Sequence, residues 1–247
     1  MVKTLVISDI HGNLEALKAV IEDAKSFDEM IVLGDLVDYG PSPAEVIDTL
    51  RQYSPKIVRG NHDHAVAFGV DCRCGEKTHW ISVWFRENIT LKLLTKKDKE
   101  YLASLPLEIK MNDITAVHAS PSNPLYAYVY PWMTEEEVCN NIRGNLVLSS
   151  READKCNAEG VYLIGHTHFQ FHRVSRGAII ANPGSVGQPR DSDPRASYML
   201  LDAERGSFEY RRVKYDVEKT IEKIKGLGVK DPYLNALAYI LRNGKVQ

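Results

Sequence analysis

Lys56-Ile57-Val58-Arg59-Gly60-Asn61-His62-Asp63 is the stretch on which the reading of this 247-residue chain turns. The β-branched pair Ile57 and Val58 predicts a strand, and Gly60 ends it, so Asn61 and His62 are expected on the turn just past its carboxyl end. Open α/β sheets bind ligands at that position. An amide oxygen beside an imidazole gives little reason for a turn but suits a metal or phosphate site. Four residues alone do not separate such a site from a surface turn. Their neighbours along the chain do.

Toward the amino terminus, Val2 to Ser8 reads as a buried parallel strand that stops abruptly at Asp9. Asp9-Ile10-His11 places two metal-type side chains two residues apart, on one side if the backbone stays extended. Gly12-Asn13 breaks the strand, and Asn13 caps a helix carrying Leu14, Leu17, Val20 and Ile21 at helical spacing. A second βα unit follows: Met30 to Leu33, then Gly34-Asp35, then a helix opened by Ser42-Pro43 with Glu45, Val46, Ile47 and Leu50. Successive strand ends thus deliver Asp9 with His11, then Asp35, then Asn61 with His62.

From about 64 to 106 the pattern becomes helical, and a helical insertion or cap is expected there. It contains Cys72-Arg73-Cys74 with His79 nearby, then Trp80, Ile81, Trp84 and Phe85 at near-helical spacing, then a short helix from Lys97 to Ser104. The aromatic residues read as core, or as the wall of a lid over a substrate pocket. The cysteine pair with His79 reads as a metal site only if a second close pair joins it, and none is near in sequence.

Leu107 to Met111 and Ile114 to Val117 flank Asn112-Asp113 as a hairpin, and the second strand ends at His118. A loop follows over Ala119 to Pro124. Thr134 with Glu137 has the capping-box spacing and starts a helix through Ile142. Val161 to Ile164 is a further strand, ending in Gly165-His166-Thr167-His168. Beyond the loop from Asn182 to Gly187, Ser197 to Leu201 and Phe208 to Val213 look like an antiparallel pair extending a second sheet, and two helices close the chain. No repeat, low-complexity stretch or linker interrupts residues 1–247, so one domain is expected.

Composition limits the function. Hydrophobic content of 44%, charged content of 26% and a net charge of −2 are ordinary for a globular enzyme. Lysine and arginine are scattered, which gives no footprint for duplex nucleic acid but leaves a nucleotide-sized ligand open. The first apolar run is too short for a signal peptide, and nothing approaches the roughly twenty apolar residues of a membrane span. A soluble cytoplasmic protein with reduced cysteines is expected, and homo-oligomerisation is left open.

Asp9, His11, Asp35, Asn61, His62, His118, His166 and His168 all fall at apolar strand ends. Carboxylate, imidazole and amide donors without a clustered thiolate suit Mn²⁺ first, with Fe, Zn²⁺ and Ni²⁺ also compatible. There are too many ligands for one ion, and two ions sharing a carboxylate is the natural solution.

These motifs, in this order, resemble the signature of the calcineurin-like metallophosphoesterases. The likeness spans about residues 1 to 215 and is greatest to the small prokaryotic-type phosphodiesterase branch. It implies an α/β fold of two stacked mixed β-sheets flanked by helices. By motif position it implies one ion on Asp9, His11 and His168, another on Asn61, His118 and His166, and Asp35 between them. His62 would stand beside the ions as general acid or phosphate donor, with Asp63 either orienting it or exposed on a turn. The ions would turn a bridging water into hydroxide for in-line attack on phosphorus. Gly184 and Gly187 would let the later loop approach the metals. Arg190 and Arg195 are candidates to clamp a substrate phosphate. The expected activity is therefore hydrolysis of a small phosphate ester, with phosphodiesters favoured. The alternatives are a phosphomonoesterase, a nucleotide or protein phosphatase, and a non-catalytic metal-binding scaffold; retention of His62 argues against the last.

Overall fold

The computed structural model describes residues 2–143 and 159–247. Its first sheet is built on three parallel strands, β1 (Lys3–Ile7), β2 (Glu29–Val32) and the two-residue β3 (Lys56–Ile57). The chain's alternation decides what this sheet faces. Leu5 and Ile7 turn to the helical side, against Leu17 and Val20 of α1 (Leu14–Ala24) and Val46 and Ile47 of α2 (Pro43–Arg51). Val6, Ile31 and Leu33 turn the other way and meet Ile114, Ala116, Leu163 and Ala181 of the second sheet. Each buried Leu or Ile stabilises the stack by about 1.5–3 kcal/mol relative to exposure. Asn13 caps α1 as its position implies, accepting from the Ala16 amide at 3.1 Å.

Residues 61–104 are largely helical. They form α3 (Asn61–Phe68), α4 (Glu76–Phe85), a π turn (Arg86–Thr90), α5 (Leu91–Leu93) and α6 (Lys96–Ser104). The second sheet then runs β4 (Glu108–Met111), β5 (Ile114–Val117), β6 (Gly160–Leu163), β7 (Gln170–Ser175) and β8 (Ala178–Pro183), in the order β4-β5-β6-β8-β7. β5, β6 and β8 are parallel, while β4 and β7 close the edges antiparallel. Helix α7 (Glu135–Arg143) packs on its outer face through Val138 and Ile142. The last elements are β9 (Ala196–Asp202), β10 (Ser207–Val213), α8 (Val217–Gly226) and α9 (Tyr233–Asn243). The architecture is two stacked mixed sheets of five strands each between helical layers.

Three local expectations are corrected. The pair β9 and β10 joins the first sheet, not a second one: β9 lies antiparallel to β1, with Leu200 opposite Leu5. Six successive β9 residues from Ala196 to Leu201 are buried, so both faces of this strand are covered. In the sheet it lies between β10 and β1. Asn61 and His62 do not lie on a turn; they are the first two residues of α3. Cys139 is disulfide-bonded, so reduced cysteines throughout do not hold.

The aromatic residues of α4 belong mainly to packing. Ile81 and Phe85 are buried with Ile221, Ile224 and Leu237, and Trp84 stacks on Tyr233 of α9 with ring centres 4.1 Å apart. No helix of the described residues is long and apolar enough to cross a membrane.

Candidate metal centre

The carboxyl ends of β1, β2, β5 and β6 and the start of α3 converge on one buried spot. Asp9, His11, Asp35, Asn61, His118, His166 and His168 are all at most 4% exposed. Their backbone is unusual: φ is +53° at Asp9, +48° at His11, +55° at Asp35, +65° at His166 and +61° at His168. Non-glycine residues rarely adopt the left-handed region, and each costs of order 1–3 kcal/mol, so such clusters mark functional sites. Asp9 and His11 therefore converge through strained turns, and not by the extended alternation expected of them.

Surrounding groups hold this strain in place. Ser185 Oγ donates to the Asp9 carbonyl at 2.7 Å, and the Gly187 amide donates to the same oxygen at 3.0 Å. A Cβ on Gly187 would come within 1.8 Å of the Ile10 carbonyl oxygen. The later loop thus buttresses the first turn. Asp63 is fully buried and accepts from the amides of Asp35 and Leu36, both at 2.8 Å, and of Gly60 at 3.0 Å. It shapes the Asp35 turn and does not orient His62.

Two groups of donor atoms result. Asp9, His11 and His168 form one and Asp35, His118 and His166 the other, each with its ligand atoms within 4.8 Å of one another. In the first, His11 Nε2 faces His168 Nε2 at 3.2 Å, and His168 Nε2 is 3.2 Å from Asp9 Oδ1. In the second, His118 Nε2 lies 2.9 Å from Asn61 Oδ1 and 3.1 Å from His166 Nδ1. Asn61 Nδ2 donates to the Cys72 carbonyl at 2.7 Å, which turns Oδ1 inward. Asp35 Oδ2 stands between the groups, 3.4 Å from His118 Nε2 and 3.8 Å from His11 Nε2.

These residues fit metal ions on the chemistry of the donors. Backbone carbonyls of Val37, Leu33 and Gln188 meet Nδ1 of His11, His118 and His168, which fixes Nδ1–H and leaves each Nε2 with a bare lone pair. The Nε2 lone pairs of His11 and His168, facing at 3.2 Å, repel unless a cation lies between them. Ligands about 2.1 Å from one ion stand about 3.0–3.4 Å apart, which matches. Asp9 Oδ1 is buried without a hydrogen-bond partner, as a donor kept for an ion would be. Burial, reinforced by neighbouring histidines, pushes the pKa of His11 and His166 well below the ordinary imidazole value, so both rings are neutral and able to offer a lone pair. Burial would raise Asp9, but His168, His118 and His11 outweigh it and hold the carboxyl below the usual range. Burial lifts Asp35 to about 7 against the opposing pull of His118 and His62.

His62 stands beside this centre, with Nε2 3.9 Å from Asp35 Oδ2. Its Nδ1 is paired with Asp38 Oδ2 at 2.8 Å, and Ser82 Oγ donates to the same carboxylate oxygen at 2.7 Å. Arg86 is 3.7 Å away. Burial alone would lower the His62 pKa, but Asp35 and the bond to Asp38 help raise it well above the ordinary value. The sequence reading passed over Asp38, although its signal was present: a carboxylate three residues after Asp35 in Gly34-Asp35-Leu36-Val37-Asp38.

The remaining named residues sit at the periphery. Cys72 and Cys74 turn their sulfurs toward each other at 3.1 Å and toward His62, while His79 pairs with Asp71 at 2.9 Å. Arg190 borders a cleft of about 330 Å³ beside Thr167. Arg195 pairs with Asp193 in its own exposed loop.

Comparison with known proteins agrees with this geometry. Residues 2–206 match the calcineurin-like phosphoesterase superfamily domain. The crystal structure of a metallophosphoesterase from Sphaerobacter thermophilus is 30% identical, covers 98% of this chain and 99% of its own, and superposes with a TM-score of 0.79. An uncharacterized protein of Methanocaldococcus jannaschii is 32% identical over 91% of this chain and 93% of its own. The phosphodiesterase YfcE of Escherichia coli is 28% identical over 82% and 88%. By the motifs, the fold and these matches, the chain belongs to the calcineurin-like phosphoesterase superfamily and is a metal-dependent phosphoesterase.

Proposed function

We propose that this protein is a dinuclear phosphodiesterase that hydrolyses a small phosphate diester, with Asp9, His11 and His168 holding one cation, Asn61, His118 and His166 the other, and Asp35 shared. The observation that carries this reading is the facing Nε2 lone pairs of His11 and His168 at 3.2 Å beside the cluster of His118, His166 and Asn61, with Asp35 Oδ2 between the two groups. Mixed oxygen and nitrogen donors without thiolate favour Mn²⁺. When bound, the ions supply a water acidic enough to attack phosphorus near neutral pH and positive charge for the phosphate oxygens.

The chain's own groups do the rest. The Asp38 carboxylate holds His62 by Nδ1, so the protonated ring presents Nε2–H to the substrate side of the centre. That proton goes to the departing alkoxide oxygen, which would otherwise leave as a strong base. Arg190 offers a cation for the non-bridging oxygens of the ester, whereas Arg195 is committed to Asp193. The helical segment over about 64–106 acts as a cap, since α4 and the π turn after it bring Ser82 and Arg86 to Asp38.

Chelator-stripped protein reloaded with Mn²⁺ should cleave bis-p-nitrophenyl phosphate faster than p-nitrophenyl phosphate, and His62→Ala should lower diester kcat by roughly 10²–10⁴-fold. A preference for the monoester would move the substrate class to phosphatase. Unchanged diester turnover in His62→Ala would remove the acid from the mechanism.

A further inference from the structure

The segment Tyr128-Val129-Tyr130-Pro131-Trp132 is neither helix nor strand, yet it is tightly placed. Val129 is 3% exposed and packs with Val138, Ile164 and Ile180, which turns Tyr128, Tyr130 and Trp132 to the opposite side. The Arg173 guanidinium donates to the Met133 carbonyl at 2.6 Å and ties the segment to β7.

The three rings form a ladder that begins on the metal centre. Tyr128 stacks on His166 at 4.1 Å, Tyr130 lies parallel to Tyr128 at 5.6 Å, and Trp132 lies parallel to Tyr130 at 4.8 Å. Phe169, the residue after His168, stands edge-on to Trp132 at 5.1 Å. Both faces of Tyr130 are covered, so only the outer end of the ladder is free, and there Trp132 is 65% exposed. An exposed tryptophan held in register by a rigid segment is costly for solubility and well prepared for stacking.

Charge beside the ladder points to what it stacks on. The cleft next to Tyr130 and Phe169 is lined by the cations Arg190, Lys77 and Lys245, with Glu76 the one acid. An aromatic platform and a cationic edge, both reached from the same centre, are the two halves of nucleotide recognition: ring on ring, phosphate on cation.

We propose that Trp132, with Phe169 at its side, is the stacking site for the nucleobase of a nucleotidyl phosphate ester whose phosphates run along Arg190 toward the metal centre. This rests on the phosphoesterase reading and names the substrate class within it. The ester would reach the centre from the ladder's open end.

The test separates the two claims. Binding is read first without turnover, by quenching of the nucleotide's own fluorescence when 1,N6-ethenoadenosine 5′-monophosphate is titrated with protein, a signal that does not depend on which residue stands at position 132. Wild type should quench saturably, Trp132→Ala should weaken the affinity about tenfold or more, and Trp132→Phe should keep most of it. Turnover is then read on two esters sharing one leaving group, the γ-(p-nitrophenyl) ester of adenosine 5′-triphosphate, whose phosphate chain is long enough to run from Trp132 to the centre, and ethyl p-nitrophenyl phosphate. The nucleotidyl ester should have a KM about tenfold lower, an advantage that Trp132→Ala removes and Trp132→Phe restores. Absence of quenching, or an affinity and KM ratio indifferent to Trp132→Ala, overturns the proposal. Quenching that depends on Trp132 with neither ester cleaved supports the stacking site while contradicting the diesterase reading.

Discussion

His62 and Asp38 carry the first prediction at the scale of single residues. The raised pKa of His62 means the ring holds its proton at neutral pH and loses it only as pH climbs past that raised value. Diester kcat/KM should therefore fall on the alkaline side, on the limb set by His62. Asp38→Asn removes the carboxylate that favours the imidazolium, so this limb should move to lower pH and kcat should drop roughly 10–100-fold. A pH–rate profile of the variant checks it; a limb that stays in place would assign the titration elsewhere. If the wild type binds two ions per chain, as proposed, His118→Ala should bind one, read by metal analysis after gel filtration. Most site residues were legible because each is a metal-type side chain at the end of an apolar strand. Asp38, Ser82 and Tyr128 were not. Asp38 looks like an ordinary turn carboxylate, and Ser82 and Tyr128 reach the site only through packing of distant segments.

At the scale of elements, the loops after β2 and β3 are pressed together. A Cβ on Gly60 would stand 2.1 Å from Asp35 Oδ1 and 2.3 Å from the Asp35 amide. Gly60→Ala should displace Asp35, cost metal affinity and lower the unfolding midpoint, because backbone cannot move aside as a flexible side chain would. Activity and melting temperature should fall together; an intact site in Gly60→Ala would mean the two loops are less rigid than this contact demands. The strands themselves were read well where they deliver ligands. β9 was assigned to the wrong sheet, since pairing partners are set by three-dimensional burial and not by order along the chain. Its unbroken apolar pattern did carry the clue that both faces are covered. Leu200→Ala, which opens a void beside β1 on the helical side, should cost about 2–5 kcal/mol in denaturant unfolding.

For the whole molecule, folding and metal binding are coupled. Two five-stranded sheets hold four imidazoles and two carboxylates in desolvated positions, five of the six on left-handed backbone, with the lone pairs of His11 and His168 opposed. Any ion that binds only the folded chain stabilises it, by about 4 kcal/mol at a thousandfold excess over its Kd. Chelation should lower the melting temperature and Mn²⁺ should restore it in proportion to occupancy. The fold was legible because βα units with chemistry at their strand ends admit few arrangements. The aromatic ladder beside the metal centre was not legible in the sequence. Tyr128, Tyr130 and Trp132 lie in a segment without helical or strand periodicity, and only the structure shows them stacked outward from His166.

The central claim, two cooperating cations on these residues, is tested most directly by titrating chelator-stripped protein with Mn²⁺ while following bis-p-nitrophenyl phosphate hydrolysis and bound metal together. Turnover should appear with the second equivalent per chain and be abolished again by chelator. Full activity at one equivalent, or hydrolysis that survives removal of all metal, would contradict it.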